Sequence, residues 1–597
     1  MASSSHKPRA KAKRSKGDSD RSHLQRGQQA SAPLDPATLP LAAFLWPAKG
    51  STSQWLVLPL VLIAAGLFRW AVSLWPYSGY KTPPMHGDFE AQRHWMEITA
   101  HLPMIQWYFY DLEWWGLDYP PLTAYHSWAL GKFGSFLNAS WFALDTSRAL
   151  DDDDLKVYMR ATVLVSEYLV YMPSLVILVR RLVRTQGVQT WQGTLALVAI
   201  LMQPATMLID HGHFQYNTVM LGFFLACLSN VLAERYLWAC VFFVAALGFK
   251  QMALYYAPAI GVILIAACFR PKVNIILLFG MAFVTTLSFA ALFAPFILAG
   301  LWRGAVLDGK GRPLPLALSI SPTIPYISLD ASTWYYAPMQ QLFQSIYRIF
   351  PFSRGIFEDK VANLWCALNV IVKLRQYPPL LLQRLSLVAT LAAITPPCAI
   401  LLMKPHNDAI PYGIAATAWG FFLCSFQVHE KSVLLPLLPM TLVLAHRAGF
   451  SVSIRAWIGW ANILGAWTCF PLLKRDQLRV PYAVLTLVWA YLLALPPASF
   501  SAYLGRGASR EDGLATTTKL VHLSFYALMA AWHVGEALVD PPAGKPDLWV
   551  VLNVELGAAG FGICYLWCVW RCLETSGLLE TWRRTSWPSE KGKAKKT

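Results

Sequence analysis

Two aspartates stand where a carboxylate could do chemistry. Asp88 opens the polar run His86-Gly87-Asp88-Phe89-Glu90-Ala91-Gln92-Arg93-His94-Trp95-Met96-Glu97, and Asp118 sits in Trp115-Gly116-Leu117-Asp118-Tyr119-Pro120-Pro121. A carboxylate in a fixed place can take the proton of an attacking hydroxyl. Lys250, Arg354, His429 and Lys431 lie beside apolar runs. Cations gathered at a membrane surface suit an anionic phosphate, Arg bidentately. His211, His213 and Gln215 form another polar cluster, in His211-Gly212-His213-Phe214-Gln215-Tyr216-Asn217. Histidines at i, i+2 do not share a helix face, so this spacing suits phosphate or sugar hydroxyls better than a metal. Each residue also has a plain structural role available: a helix N-cap for Asp88, a turn hydrogen bond for Asp118, snorkelling for Lys250. Their convergence on one side of the chain is what points to a site.

The elements that must position them are membrane helices. The chain has 597 residues, 56% hydrophobic and only 14% charged. Apolar runs of about 18–25 residues recur along it, each able to cross a hydrocarbon core. The reading is an all-α polytopic membrane protein, because a helix satisfies its own backbone in lipid. Residues 1–52 form a basic, disordered cytosolic tail; 53–384 a catalytic membrane module with luminal loops 77–157 and 301–384; 385–570 a C-terminal membrane module; and 571–597 a second cytosolic tail. Net charge is +17 and concentrates in the two tails, which suits anionic lipid heads; no folded module points to nucleic acid. The sequon Asn138-Ala139-Ser140 fits a luminal loop. Lys593 and Lys595 resemble a dilysine retrieval signal, read in the cytosol by coat-protein machinery. To keep that end cytosolic, residues 361–375 are taken as a luminal re-entrant or interfacial helix, leaving about fourteen spans. This parity places His213, Lys250 and His429 on one face. It also puts Lys474, Arg475 and Arg479 there, against the positive-inside rule.

Residues 89–101 have helical periodicity, with Glu90, Arg93, His94 and Glu97 on one face. The expectation is an amphipathic helix lying flat on the luminal membrane surface, with Asp88 at its start. Pro120 holds Asp118-Tyr119 extended. Tyr119, Trp114 and Trp115 could stack on sugar rings or belong to the interfacial aromatic belt. The ten cysteines show no disulfide or zinc spacing. There is no nucleotide-binding fingerprint, so a sugar transferase of this build would draw on a lipid carrier. A transporter would put polar groups at the membrane midplane within repeated halves, and no halves repeat here.

Long segments resemble the dolichyl-phosphate-glucose α-1,3-glucosyltransferases of the endoplasmic reticulum: His86 to Glu97, Trp115 through Ser127, His213 to Asn217, Arg354 to Cys366, and Val428-His429-Glu430-Lys431-Ser432. The Glu-Ala-Gln-Arg-His-Trp-Met run and the Leu-Thr-Ala-Tyr after Pro-Pro favour the branch that adds the first glucose to the nine-mannose oligosaccharide over the branch that adds the second. The resemblance implies a C-type glycosyltransferase fold, a luminal site, no cofactor and no metal. It implies inverting transfer between two lipid-linked substrates, with Asp88 as the base. The expected substrate-binding set is Asp118, Glu90, Arg93, His94, Tyr119, His211, His213, Gln215, Lys250, Arg354, His429 and Lys431.

Overall fold

The computed structural model describes residues 39–49, 54–316, 329–350, 360–504 and 513–579, with 54–56 as backbone only. Most of the basic N-terminal tail, Arg354 and the dilysine-like end lie outside the described residues.

Helix dominates, as the apolar runs require: among the described residues the β structure amounts to one isolated bridge, Leu307 with Pro313. Among the described residues five helices are long and apolar enough to cross a membrane: Asp153–Gln186, Gln251–Phe269, Ile275–Arg303, Pro379–Met403 and Leu548–Thr575. A sixth crossing arises if Thr190–Leu201 and Pro204–Phe214, bent by 43° at their junction, count as one. Five further apolar helices are shorter, among them Asn217–Leu232 and Tyr236–Phe249. Several of the runs expected as spans fold as these shorter helices. Polar and proline residues cut several apolar runs into pieces. The run near 432–446, for example, is α-helical only over Leu434–Leu442, with 3₁₀ turns Glu430–Val433 and Val443–Ala445 continuing it at either end. Residues 361–375 contain a nine-residue helix, Leu364–Val372, and the start of a 3₁₀ turn, Leu374–Gln376. The Ile275–Arg303 helix turns Ile276, Phe279, Phe283 and Leu287 outward, a pattern that fits a lipid-facing surface.

One connected apolar core draws on residues from Leu39 to Cys572. Two π-helical segments, Glu167–Tyr171 and Leu208–Phe214, interrupt the helices beside the polar centre. Such widened turns often accompany functional sites, since they redirect side chains. Here they turn Glu167, Asp210, His211 and His213 inward, all fully or nearly fully buried.

The Asp88–His101 helix is not a surface helix. Every residue from Phe89 to Ala100 is buried, on all sides of the helix. The charges permit this because they pair. Arg93 donates to Glu90 at 2.6 Å and to Glu97 at 2.7 Å, and to the Ser147 hydroxyl at 2.6 Å. His94 lies 3.1 Å from Glu97. Opposite charges at i, i+3 and i, i+4 neutralise one another along the helix, and burial is tolerated only for charges paired in this way. The other face packs Trp95 and Ile98 into an aromatic cluster with Trp107, Tyr108 and Phe296.

Candidate active site

Asp88 owes its place to backbone geometry. Gly87 takes the cap position with no side-chain cap bond, and Asp88 is the first helical residue; its carboxylate is therefore free of the capping role and reaches elsewhere. The Asp88 amide donates to Ser78 Oγ at 3.2 Å, and the Ser78 amide donates to the His213 carbonyl at 2.9 Å. The buried Arg160 guanidinium donates to the His211 carbonyl at 2.6 Å, Gly212 at 2.8 Å and Pro76 at 3.2 Å. One cation thus ties the loop before Asp88 to the end of the π-helical segment. Gly87 and Gly79 approach so closely that a Cβ on Gly87 would meet Ser78 Oγ at 2.5 Å and the Gly79 nitrogen at 2.7 Å.

Asp88 faces a cavity of about 640 Å³ whose lining includes Asp118, Tyr119, His213, Gln215, Lys250, His429, Lys431, Arg475 and Asp476. Three donors converge on one of its oxygens, Oδ2: His213 Nε2 at 2.8 Å, Gln215 Nε2 at 2.6 Å, and the Lys431 ammonium. Oδ1 accepts no hydrogen bond from a described residue. The Asp88 side chain remains 21% exposed to the cavity. Burial by itself would raise the Asp88 carboxyl, but the Lys431 and His213 charges and hydrogen bonds outweigh it and hold the group well below the usual carboxylate range.

Behind the donors stands a second layer. His213 Nδ1 lies 2.5 Å from the buried Asp476 carboxylate. Two carboxylates on two ring nitrogens call for two N–H donors, which is the imidazolium form. The Lys250 ammonium donates to Gln215 Oε1 at 3.0 Å and to Asn217 Oδ1 at 2.6 Å, and lies 4.8 Å from the Tyr119 ring centre. By claiming the Gln215 oxygen, Lys250 fixes which end of the amide points at Asp88. Asn217 Nδ2 in turn donates to Asp210 at 2.8 Å, and the Thr218 amide satisfies the other Asp210 oxygen at 2.6 Å.

The loop carrying Asp118 is held from two sides. The Trp95 indole donates to the Trp115 carbonyl at 2.8 Å, and the Tyr108 hydroxyl to the Tyr119 carbonyl at 2.7 Å. From the Tyr336–Ile349 helix, Arg348 donates to the Gly116 carbonyl at 2.8 Å and Gln344 to the Tyr108 carbonyl at 3.0 Å. The second large loop thus braces the first, which supplies the wall.

The structure brings eight of the expected residues to this cavity: Asp88, Asp118, Tyr119, His213, Gln215, Lys250, His429 and Lys431. It places Glu90, Arg93 and His94 away from it, in the buried ion-pair network of the helix. His211 also points away, to Glu167 at 2.6 Å, where Arg69 lies at 2.8 Å from the same oxygen. The π-helical turn separates the two histidines onto different partners, in accord with their i, i+2 spacing. Arg354 is outside the described residues. Lys360 pairs with Asp547 at the surface, with both side chains about half exposed.

Asp476 and Arg475 escaped the sequence reading, although a signal existed. The turn Lys474–Arg479 was the basic segment on the wrong side for the positive-inside rule. Its Arg475, Asp476 and Gln477 line the cavity, while Lys474 is neutralised by Glu536.

A half-buried carboxylate with cations around it, in a cavity between apolar helices, is the setting in which the comparisons place a glycosyltransferase. The chain belongs to the ALG6, ALG8 glycosyltransferase family, whose model matches residues 65–308 and 314–570. It is 41% identical to the probable dolichyl pyrophosphate Man9GlcNAc2 alpha-1,3-glucosyltransferase of Schizosaccharomyces pombe, over 91% of this chain and 97% of the relative. It is 40% identical to the dolichyl pyrophosphate Man9GlcNAc2 alpha-1,3-glucosyltransferase of Saccharomyces cerevisiae, over 90% and 95%, and 34% identical to that of Gallus gallus, over 83% and 93%.

Proposed function

We propose that this chain transfers glucose from dolichyl phosphate glucose to the terminal mannose of the nine-mannose dolichyl-pyrophosphate oligosaccharide, forming an α-1,3 linkage. The observation that carries this reading is the Asp88 centre: an ionised carboxylate with one oxygen saturated by Lys431, His213 and Gln215 and the other without a described partner, in a cavity of about 640 Å³. That volume is in the range of roughly 300–1,000 Å³ usual for ligand sites. The relatives named for this transfer supply the substrate class.

In the proposed step the acceptor mannose oxygen forms a bond to glucose C1 as the C1–O bond to phosphate breaks. The hydroxyl proton goes to Asp88, and the electron pair leaves with dolichyl phosphate, which gains a second negative charge. A β-linked donor yields an α-linked product by this single displacement. Phosphate is a weak base and needs no strong acid to leave. Cations aimed at its developing charge lower the barrier, and Lys431, Lys250 and His429 are the ones assigned here. Tyr119, beside Lys250, offers a ring face to the sugar. Asp118 is assigned to hydroxyl recognition. The proposal also includes a C-type glycosyltransferase fold with about fourteen crossings, residence in the endoplasmic reticulum membrane, a luminal site and cytosolic termini.

The test uses the purified full chain with lipid-linked glucose and lipid-linked nine-mannose acceptor. Glucosylated acceptor with an α-1,3 linkage is expected, and Asp88→Asn is expected to remove turnover while the protein stays folded. Transfer onto an acceptor that already carries one glucose, in place of the unglucosylated one, would move the chain to the sibling reaction. Movement of lipid across a bilayer without glucose transfer would overturn the enzyme reading.

A further inference from the structure

A second cavity, of about 540 Å³, lies between the helices Pro40–Lys49, Gln54–Ser73, Met172–Gln186 and Thr190–Leu201. One helical stretch, Asp153–Gln186, joins it to the first cavity. Near one end Arg160 holds the carbonyl of Pro76, which lines the Asp88 cavity. Arg180, near the other end, lines the second cavity. The two arginines are about 20 residues apart, or about 30 Å of helix, which is the thickness of a hydrocarbon core. The second cavity therefore sits at the headgroup level of the opposite membrane face.

Its lining divides by chemistry. Val176, Val179, Val183 and Leu197 form a buried apolar wall. Gly193 closes the floor, where a Cβ would meet Val183 Cγ2 at 2.5 Å. The rim carries Lys49, Arg180 and Arg184, all exposed. The two arginines stand one turn apart on one helix face, where like charges repel. Among the described residues no carboxylate lines the cavity. Asp408, which meets the end of the same helix, is engaged by Gln186 and lies near His406 and His446. Lys49 lies 4.0 Å from the Trp46 ring centre, and Trp46 meets the edge of Trp191. Trp46 and Phe44, on the same short helix, are 41% and 74% exposed; rings of this kind settle at the level of lipid headgroups.

We propose that this cavity binds an anionic glycerophospholipid, with its phosphate among Lys49, Arg180 and Arg184 and its glycerol and first acyl carbons against the valines. Guanidinium groups hold phosphate oxygens bidentately, and the phosphate relieves the repulsion between the arginines. A soluble phosphate would leave the apolar wall unused. Residues 1–38 of the chain itself are predominantly basic and would set cations against cations. The site is separate from the Asp88 cavity and does not depend on the reaction assigned there.

The experiment titrates the purified full chain in detergent with phosphatidylinositol and reads bound lipid by native mass spectrometry, with phosphatidylcholine and inorganic phosphate in parallel. Phosphatidylinositol is expected to bind saturably and more tightly than phosphatidylcholine, and inorganic phosphate should not displace it. Arg180→Gln/Arg184→Gln should weaken binding about 25-fold, roughly fivefold for each basic group at a lipid surface, with an unchanged melting temperature in lipid-free detergent. Lys49→Gln, on another helix, should cost about fivefold by itself and keeps the test open if the double variant does not fold. Arg270→Gln/Lys272→Gln is the control. It removes two exposed cations outside the cavity, from the turn after Gln251–Phe269, a helix that starts at the Asp88 cavity; it should bind like the parent. Equal losses in the two double variants would reduce the effect to surface charge and overturn the site. Equal affinity for phosphatidylcholine would overturn it as well, as would displacement by inorganic phosphate, the mark of a soluble-anion site. A structure with residues 1–38 or a second copy of the chain filling the cavity would do the same.

Discussion

The carboxylate of Asp476 lies 2.5 Å from Nδ1 of His213, a residue 263 positions earlier in the chain. The contact fixes the imidazole ring and keeps its second nitrogen turned to Asp88. Replacing Asp476 by Asn leaves the shape but puts a neutral amide behind the ring. Hydrogen bonds to charged groups contribute about 1.5–3 kcal/mol, and ~1.4 kcal/mol is tenfold in rate. Asp476→Asn is expected to lower kcat about tenfold to a hundredfold with little change in melting temperature. Steady-state kinetics beside a thermal melt checks this, and a variant with parental kcat would remove Asp476 from the positioning layer.

Lys250 sets the orientation of the Gln215 amide. Lys250→Met frees that amide to rotate and present oxygen to the Asp88 carboxylate, acceptor against acceptor. The expectation is a kcat reduced by about tenfold or more, from one lost charge-assisted contact. Gln215→Glu should be worse, since it sets a second carboxylate against Asp88. Parental turnover in both variants would show that the Gln215 amide does not position Asp88.

Gly87→Ala tests the backbone contact that places the base. The Gly87 backbone angles, φ −138° and ψ −155°, suit any residue, so strain in φ is not at issue. The methyl group would instead meet Ser78 and Gly79 at 2.5 to 2.7 Å. Either the loop or the helix start must shift. A displacement of about 1 Å at a reacting group can cost around a hundredfold in rate. Turnover should fall by that order, and a parental rate in Gly87→Ala would show that the approach can relax without moving Asp88.

Glu97 gives a pH test of the buried helix network. Burial alone would raise its carboxyl, but His94 and Arg93 more than offset that and bring it from 4.5 down to about 2. A depressed carboxyl contributes stability above its unfolded value, and that contribution is lost as pH falls through the folded one. The parent should lose stability between about pH 4.5 and 2 through this group. Glu97→Gln should melt lower at neutral pH, because Arg93 and His94 lose part of their compensation, and the gap between the two proteins should close as the pH is lowered. Parallel melting curves down to pH 3 would contradict the ion-pair account.

Much of the cavity lining was legible before any coordinates. Asp88, Asp118, His213, Gln215, Lys250, His429 and Lys431 were named from residue type and from their position beside apolar runs. Helical class followed from the same runs, because a backbone in lipid has few alternatives. Signals failed where a local pattern has two tertiary outcomes. The periodic charges of Glu90, Arg93, His94 and Glu97 describe a helix with a polar face but not whether that face meets water, a membrane surface or other protein. Pairing within the helix, and Ser147 brought in from a distant loop, decided for burial. Apolar composition also does not register how long each helix is: runs expected as single spans fold as helices of 14 to 16 residues at Asn217–Leu232 and Tyr236–Phe249.

The sequence by itself determined which residue types were available for chemistry and that they had to be carried by helices, because composition and periodicity fix the local backbone. Only the tertiary structure decided which of them meet. Asp88 and Lys431 stand 343 residues apart, and Asp476 reaches His213 from another segment altogether. No local rule encodes such distances: they arise when packed helices and two π-helical turns bring loops from remote parts of the chain around one cavity.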